Sequence, residues 1–229
     1  MGAHHDQRWL AHRCQARRGK RRWLGSLGGR PWLGVALVIA LAGLGGGCQI
    51  VDQAEDATAG PLRVSAVRDG DTIEVLRGGR EEAVRLLQVN TPESAKPGTP
   101  IACGALEAKS ALTRVLYRHP LDRDGDGLSD HGRAPRRVWL EFDPVAGRRD
   151  RYGRLLAHVH VGGREGPTLA ARQLAAGWGE LYVFDGQHTR LFGRYAALER
   201  EARRKRRGVW GRCGGDFHRS LTTRDRRLR

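Results

Sequence analysis

Residues 62–93 read LRVSAVRDGDTIEVLRGGREEAVRLLQVNTPE. Three apolar-rich runs, 62–68, 72–76 and 82–89, are divided by Asp69-Gly70 and Gly78-Gly79, both two-residue signals of tight turns. Ile73 and Val75 fall on one face of the middle run, the period of a half-buried strand. Working outward, residues 105–117 (ALEAKSALTRVLY) carry apolar side chains at helical spacing among good helix formers. Residues 137–142 and 155–161 are two further strands. A short helix over 169–176 stops at Gly177, residues 179–184 are an extended connection, and a long helix over 189–207 stops at Gly208, with Thr189 as its N-cap. Short turns predict antiparallel pairing throughout. The fold class is α+β: a small five-stranded barrel with three helices.

Composition agrees with one folded body. The chain has 229 residues, 39% of them apolar, enough for a core, and its Gly content and four Phe exclude a long coiled coil or a polytopic membrane protein. Lys and Arg number 41 against 25 Asp and Glu, a formal charge of +16. Residues 1–48 hold eight of the cations and one Asp, so most of the excess lies on residues 49–229. A body that basic seeks a polyanion: nucleic acid, anionic lipid or polyanionic glycan.

The N-terminus reads as an address. All eight cations lie between Arg8 and Arg30, and an uncharged stretch with an apolar run, LGVALVIALAGL, follows. That is the layout of a secretory signal, and the apolar run is short for a bilayer span. Gly45-Gly46-Gly47-Cys48 resembles a bacterial lipoprotein cleavage site, with Gly45 where Leu is usual; Cys48 would carry the lipid. An uncleaved anchor is the other reading, and both put the body outside the cytoplasm, in the envelope or secreted. Residues 49–61 read as a tether, 62–213 as the domain and 214–229 as a basic tail. The domain keeps two cysteines, Cys103 and Cys213. They are either a disulfide, which an oxidising compartment favours, or two buried thiols. Bonded, they close a loop of about 110 residues, worth about 4–5 kcal/mol by loop-closure entropy.

Two motifs carry hard-oxygen and phosphate chemistry. Asp71 and Asn90 sit at strand ends beside the Thr91-Pro92 turn, where carboxylate, amide and carbonyl oxygens suit Ca²⁺. Arg85 lies five residues before Asn90, on the opposite pleat of an ideal strand, so only a bulge or bend lets both reach one site. Asp150-Arg151-Tyr152-Gly153-Arg154 precedes a strand and offers guanidinium to phosphate.

Together these stretches resemble the thermonuclease (staphylococcal nuclease-like) family: Asp-Gly-Asp-Thr at 69–72, Arg-Leu-Leu-Gln-Val-Asn-Thr-Pro-Glu at 85–93 and Asp-Arg-Tyr-Gly-Arg at 150–154. Cys-Gly-Ala-Leu-Glu-Ala at 103–108, Val-Trp-Leu-Glu-Phe-Asp at 138–143 and Gly-Val-Trp-Gly at 208–211 extend the likeness over nearly all of the domain. The resemblance implies an OB-fold barrel and Ca²⁺-dependent cleavage of DNA and RNA, with a preference for single strands, by a monomer. Asp71 and Asn90 would bind the ion through side chains and Thr91 through its carbonyl. Glu93 would act on the attacking water, and Arg85 and Arg154 on the phosphate. Tyr152 would contact a terminal phosphate, and Tyr182 and Phe184 the base; core packing is the alternative for the last two. The family's usual pattern has Asp at the position of Asn90, so metal binding is expected to be weaker here.

A third motif lies outside that pattern. Asp122, Asp124, Asp126, the Leu128 carbonyl and Asp130 follow the alternation of an EF-hand loop, but its twelfth position is Arg133 instead of Glu. The 121–132 insertion is expected to hold a second, structural Ca²⁺; a solvated acidic turn is the plain alternative. Residues 199–207 and 219–229 add nonspecific phosphate attraction. The same fold without catalysis, as a nucleic-acid-binding lipoprotein, is the competing function; the joint presence of Arg85, Glu93 and Arg154 argues against it. A surface lipoprotein serving adhesion through its calcium loop would leave that set unexplained.

Overall fold

The computed structural model describes residues 58–94, 98 and 100–222. The apolar run before Cys48, Cys48 itself and the last arginines of the tail lie outside them. Five strands close a barrel: β1 (Thr58–Asp69), β2 (Thr72–Arg77), β3 (Arg80–Leu86), then β8 (Leu155–Val161) and β7 (Arg137–Glu141), which pairs back with β1. Between β3 and β7 the chain forms β4 (Val89–Asn90), α1 (Ala105–Leu116), and a hairpin of β5 (Tyr117–Leu121) and β6 (His131–Pro135). After β8 come α2 (Leu169–Ala176), β9 (Glu180–Leu181), α3 (Phe192–Arg204) and the single turn α4 (Val209–Arg212).

Alternation explains the barrel. Ile73, Val75, Val84 and Leu140 point inward and are fully buried, with α1 closing one opening through Leu112 and Leu116. Tyr195 of α3 reaches the same core, its hydroxyl bonded to Thr168 Oγ1 at 2.7 Å and to His158 Nδ1 at 3.1 Å. Thr168 also caps α2, accepting from the Ala171 amide.

Several sequence expectations change. Pairing is not antiparallel throughout, because β3 and β8 run parallel, Val84 opposite Leu155. A crossover through α1 and the hairpin separates them, which is what parallel neighbours require. β1 begins at Thr58, ahead of Leu62, since Thr58 and Ala59 already pair with Glu141 and Leu140. The run 82–89 is not one strand; it breaks at Gln88, whose φ of 57° is left-handed. α3 starts at Phe192, and Thr189 does not cap it through its side chain. That hydroxyl bonds instead to Gln88 Oε1 and His158 Nε2. The 121–132 insertion is the tip of a longer hairpin running from Tyr117 to Pro135.

Cys103 and Cys213 are joined as a disulfide, with Cα atoms 6.0 Å apart. The domain does not stop there. Phe217 is buried against Trp210, and Leu221 donates its amide to the Ile101 carbonyl at 2.7 Å, so residues 214–222 of the expected basic tail are a strap packed on the domain. Among the described residues no helix is long and apolar enough to cross a membrane.

Candidate active site

The site forms where β3 ends, turns and restarts as β4. Two backbone bonds hold the end of β3, Leu86 N to Asp71 O at 2.9 Å and Leu87 N to Ala157 O at 3.1 Å. The left-handed Gln88 then reverses the pleat. This supplies the bend that the Arg85–Asn90 spacing demanded: Arg85 Nη2 donates to Asn90 Oδ1 at 3.2 Å and Nη1 to Val89 O at 2.8 Å. Thr189 pins the turn from below through the Gln88 side chain.

Asp71 is buried and fully engaged. Its Oδ1 accepts from Thr72 Oγ1 at 2.9 Å. Its Oδ2 accepts from the Thr91 amide at 3.0 Å and Thr91 Oγ1 at 3.1 Å, and pairs with Arg85 Nη1 at 2.9 Å. At 14% and 10% side-chain exposure, the Arg85–Asp71 pair is little screened, and removing one partner of such a pair typically costs about 3–5 kcal/mol. Gly70 is forced by packing: a Cβ there would lie 2.7 Å from Thr91 Oγ1 and 2.7 Å from Ala108 Cβ. The Gly70 carbonyl accepts from Gln173 Nε2 at 2.6 Å, tying the Asp69–Asp71 turn to α2.

Asp69 adds a second acid. Burial first, then the Asp71 charge, push its carboxyl up to about 7; a hydrogen bond with Glu93 works in the same direction, and bonds from the Gly70 amide and Ser94 hydroxyl pull against it. Glu93 itself is exposed, as a group meeting solvent water should be.

The remaining expected residues lie around this cluster. Arg154 sits one residue before Leu155, beside β3, and its Nε donates to Asp150 Oδ2 at 2.7 Å. Burial would raise the Asp150 carboxyl, but the bonds from Arg154 outweigh it and hold it below the usual carboxylate range. Tyr152 stacks near Arg154, whose Cζ lies 5.5 Å from the ring centre. Tyr182 follows β9 and donates its amide to Gln88 O at 3.3 Å, two positions along from the Asn90–Glu180 pair. Tyr182 and Phe184 are 47% and 72% exposed, so core packing does not account for them. In the hairpin tip, oxygens of Asp122, Asp124 and Asp126 lie within 4.8 Å of one another, all exposed.

A hard cation fits the cluster on one observation: Asp71 Oδ2 and Asn90 Oδ1 already converge on one positive charge, the Arg85 guanidinium. Sequence reasoning missed Glu180, which accepts from Asn90 Nδ2 at 3.0 Å. The missing carboxylate at position 90 was a signal to look for an acid on a neighbouring strand, and Glu180 lies in the extended 179–184 connection that the sequence showed.

A closed barrel with acid, amide and guanidinium gathered at its strand ends, and exposed aromatics beside them, defines an OB-fold protein of the ligand-binding or hydrolytic type. Residues 83–212 match the staphylococcal nuclease homologue family, and the chain belongs to it. It is 32% identical over 147 residues to Endonuclease YncB of Bacillus subtilis (strain 168), covering 64% of this chain and 59% of that protein. It is 30% identical over 150 residues to the Thermonuclease of Staphylococcus intermedius, covering 65% and 75%, and 38% identical over 142 residues to the Probable endonuclease LCL3 of Schizophyllum commune, covering 56% and 40%. The chain spans about half the length of its Bacillus subtilis relatives.

Proposed function

We propose that this protein is a calcium-dependent, sugar-nonspecific endonuclease that hydrolyses phosphodiester bonds of DNA and RNA and acts outside the cytoplasm, lipid-anchored through Cys48 or secreted. The observation that carries the reading is the convergence of Asp71, Arg85, Asn90 and Thr91 at the β3–β4 turn. Asp71 Oδ2, Asn90 Oδ1 and the Thr91 carbonyl would hold the ion, which when bound supplies a Lewis acid for a phosphoryl oxygen. Arg85, freed from its pairing with Asp71, donates to the phosphate, and Arg154 supplies a second guanidinium where charge develops in the transition state. Glu93 takes a proton from the attacking water.

Exposed Tyr182 and Phe184 offer faces on which any base can stack, which supports action on single strands without sequence preference. The exposed Arg203, Arg204, Lys205 and Arg206 at the end of α3 add salt-dependent attraction. The same reading gives the Asp122–Asp130 loop a structural Ca²⁺.

The test is digestion of single-stranded DNA and RNA by the purified protein in Ca²⁺ and in EGTA. Cleavage in Ca²⁺ alone supports the proposal, and undiminished cleavage in EGTA sinks the metal role. Salt-dependent binding without cleavage in either condition would make the chain a non-catalytic nucleic-acid-binding module.

A further inference from the structure

Asn90 is the one neutral side chain among the proposed ligands. An amide has a donor end and an acceptor end, and only the acceptor serves a cation. Its neighbours decide which end faces the site. Arg85 has donors only and takes Oδ1; the Glu180 carboxylate has acceptors only and takes Nδ2. Both contacts select the same orientation. When Arg85 turns to a phosphate, its hold on the amide is released and Glu180 alone keeps Oδ1 directed at the site.

Glu180 stands directly opposite Asn90 in the β4–β9 register, and β9 is fixed to α3 by the Leu181 amide donating to Glu199 Oε1 at 2.8 Å. The imidazole of His218, largely exposed, also comes within 3.9 Å of the Glu180 carboxylate. Resting on the calcium reading above, we infer that Glu180 is a positioning residue for the cation. From β9 it supplies the negative charge that position 90 lacks, and it holds the Asn90 amide oxygen toward the ion. Asn90 with Glu180 is thus an exchanged arrangement, in which the acid stands one strand away from the ligand it supports.

The test is calorimetric titration of the full-length protein with Ca²⁺, in an Asp124→Asn, Asp126→Asn background that silences the hairpin loop. Glu180→Gln should raise the dissociation constant about tenfold, and Glu180→Leu, which also removes the acceptor, by more. Asn90→Asp combined with Glu180→Gln returns the carboxylate to β4 and lets the new amide on β9 donate to it, so binding should recover to within about threefold of the parent. Binding by both Glu180 variants at the parent affinity overturns the inference, as does a double variant no tighter than Glu180→Gln. Asp71→Asn in the same background separates the two claims. If it abolishes binding while the Glu180 variants match the parent, only the inference falls; if it titrates like the parent, the calcium site and the inference fall together. Circular dichroism in EGTA confirms the fold. Should Glu180→Leu fail to fold, the isosteric Gln variant and the exchanged pair decide.

Discussion

The β3–β4 turn and the β5–β6 hairpin tip both gather oxygen atoms, and they do so under opposite conditions. At the turn, Asp71 is 7% exposed and a guanidinium balances its charge at 2.9 Å. At the tip, three carboxylates come within 4.8 Å in open solvent, steadied by backbone amides such as Gly125 N and Gly127 N, each 2.8 Å from Asp122. The first cluster is held without an ion, by burial, Thr91 and Arg85. The second concentrates like charge on an exposed loop held by its own backbone amides and by α1, where Arg114 Nη2 donates to the Gly127 carbonyl at 3.2 Å and Ser110 Oγ accepts from the Ser129 amide at 2.8 Å. A braced, balanced cluster suits chemistry, where geometry must survive each turnover; a concentrated, exposed one suits an ion that stays.

The largest effect should come from breaking that division at its buried end. On the proposed reading, Asp71→Asn should cut cleavage about a thousandfold, since it would remove the anionic ligand and leave Arg85 without its buried carboxylate partner; initial rates on single-stranded DNA measure it. Asp124→Asn with Asp126→Asn should leave cleavage measurable. Loss of cleavage in a loop variant that keeps its fold would move those carboxylates into the active site.

Acid should reach the scaffold of the buried cluster. Burial holds the His158 imidazole down to about 4, against the pull of Glu141 and Asp143, so its 3.9 Å approach to Asp143 is not an ion pair at neutral pH. Unfolded, the ring takes its proton near the ordinary 6.5. At this ring the unfolded chain therefore binds more protons between those values, so the stability contributed by neutral His158 falls as pH drops from 6.5 to about 4, then levels off, while Asp69, held up near 7, works in the opposite direction. The contribution is roughly 3 kcal/mol. Denaturant unfolding across that window should show the stability difference between wild type and His158→Gln shrinking as pH falls from 6.5 to about 4.

The hairpin end carries the next effect. On the proposed reading, an ion in the loop at one hundred times its dissociation constant would add about 2.7 kcal/mol. Deleting residues 121–132 should remove that calcium-dependent rise in melting temperature while cleavage persists. The smallest change belongs to the surface: Phe184→Ala should weaken single-strand binding by about 1–3 kcal/mol with turnover little altered, as fluorescence anisotropy would show.

The barrel strands were legible because Ile73, Val75 and Val84 alternate with polar neighbours, and the site because Asp71, Arg85 and Asn90 lie in recognisable runs. Gln88 was not, since nothing in a glutamine signals left-handed backbone; the turn is imposed by β8 on one side and Thr189 on the other. The β5–β6 hairpin was hidden for a related reason. His119-Pro120-Leu121 and His131-Gly132-Arg133 lack apolar alternation, and α1 and β1 supply the surface they pack on. Thr189 has the chemistry of a cap, but a buried histidine and Gln88 compete for its hydroxyl and win.

The Cys103–Cys213 bond makes residues 103–213 a covalent ring, and the exposed tip at Gly125 and Gly127 lies on its circumference. A protease that nicks the tip opens the ring without releasing a fragment, and β5–β6 pairing still aligns the cut ends. The nicked molecule should run as one band without reductant and as two with it. A cut at this exposed tip thus leaves the two pieces covalently joined.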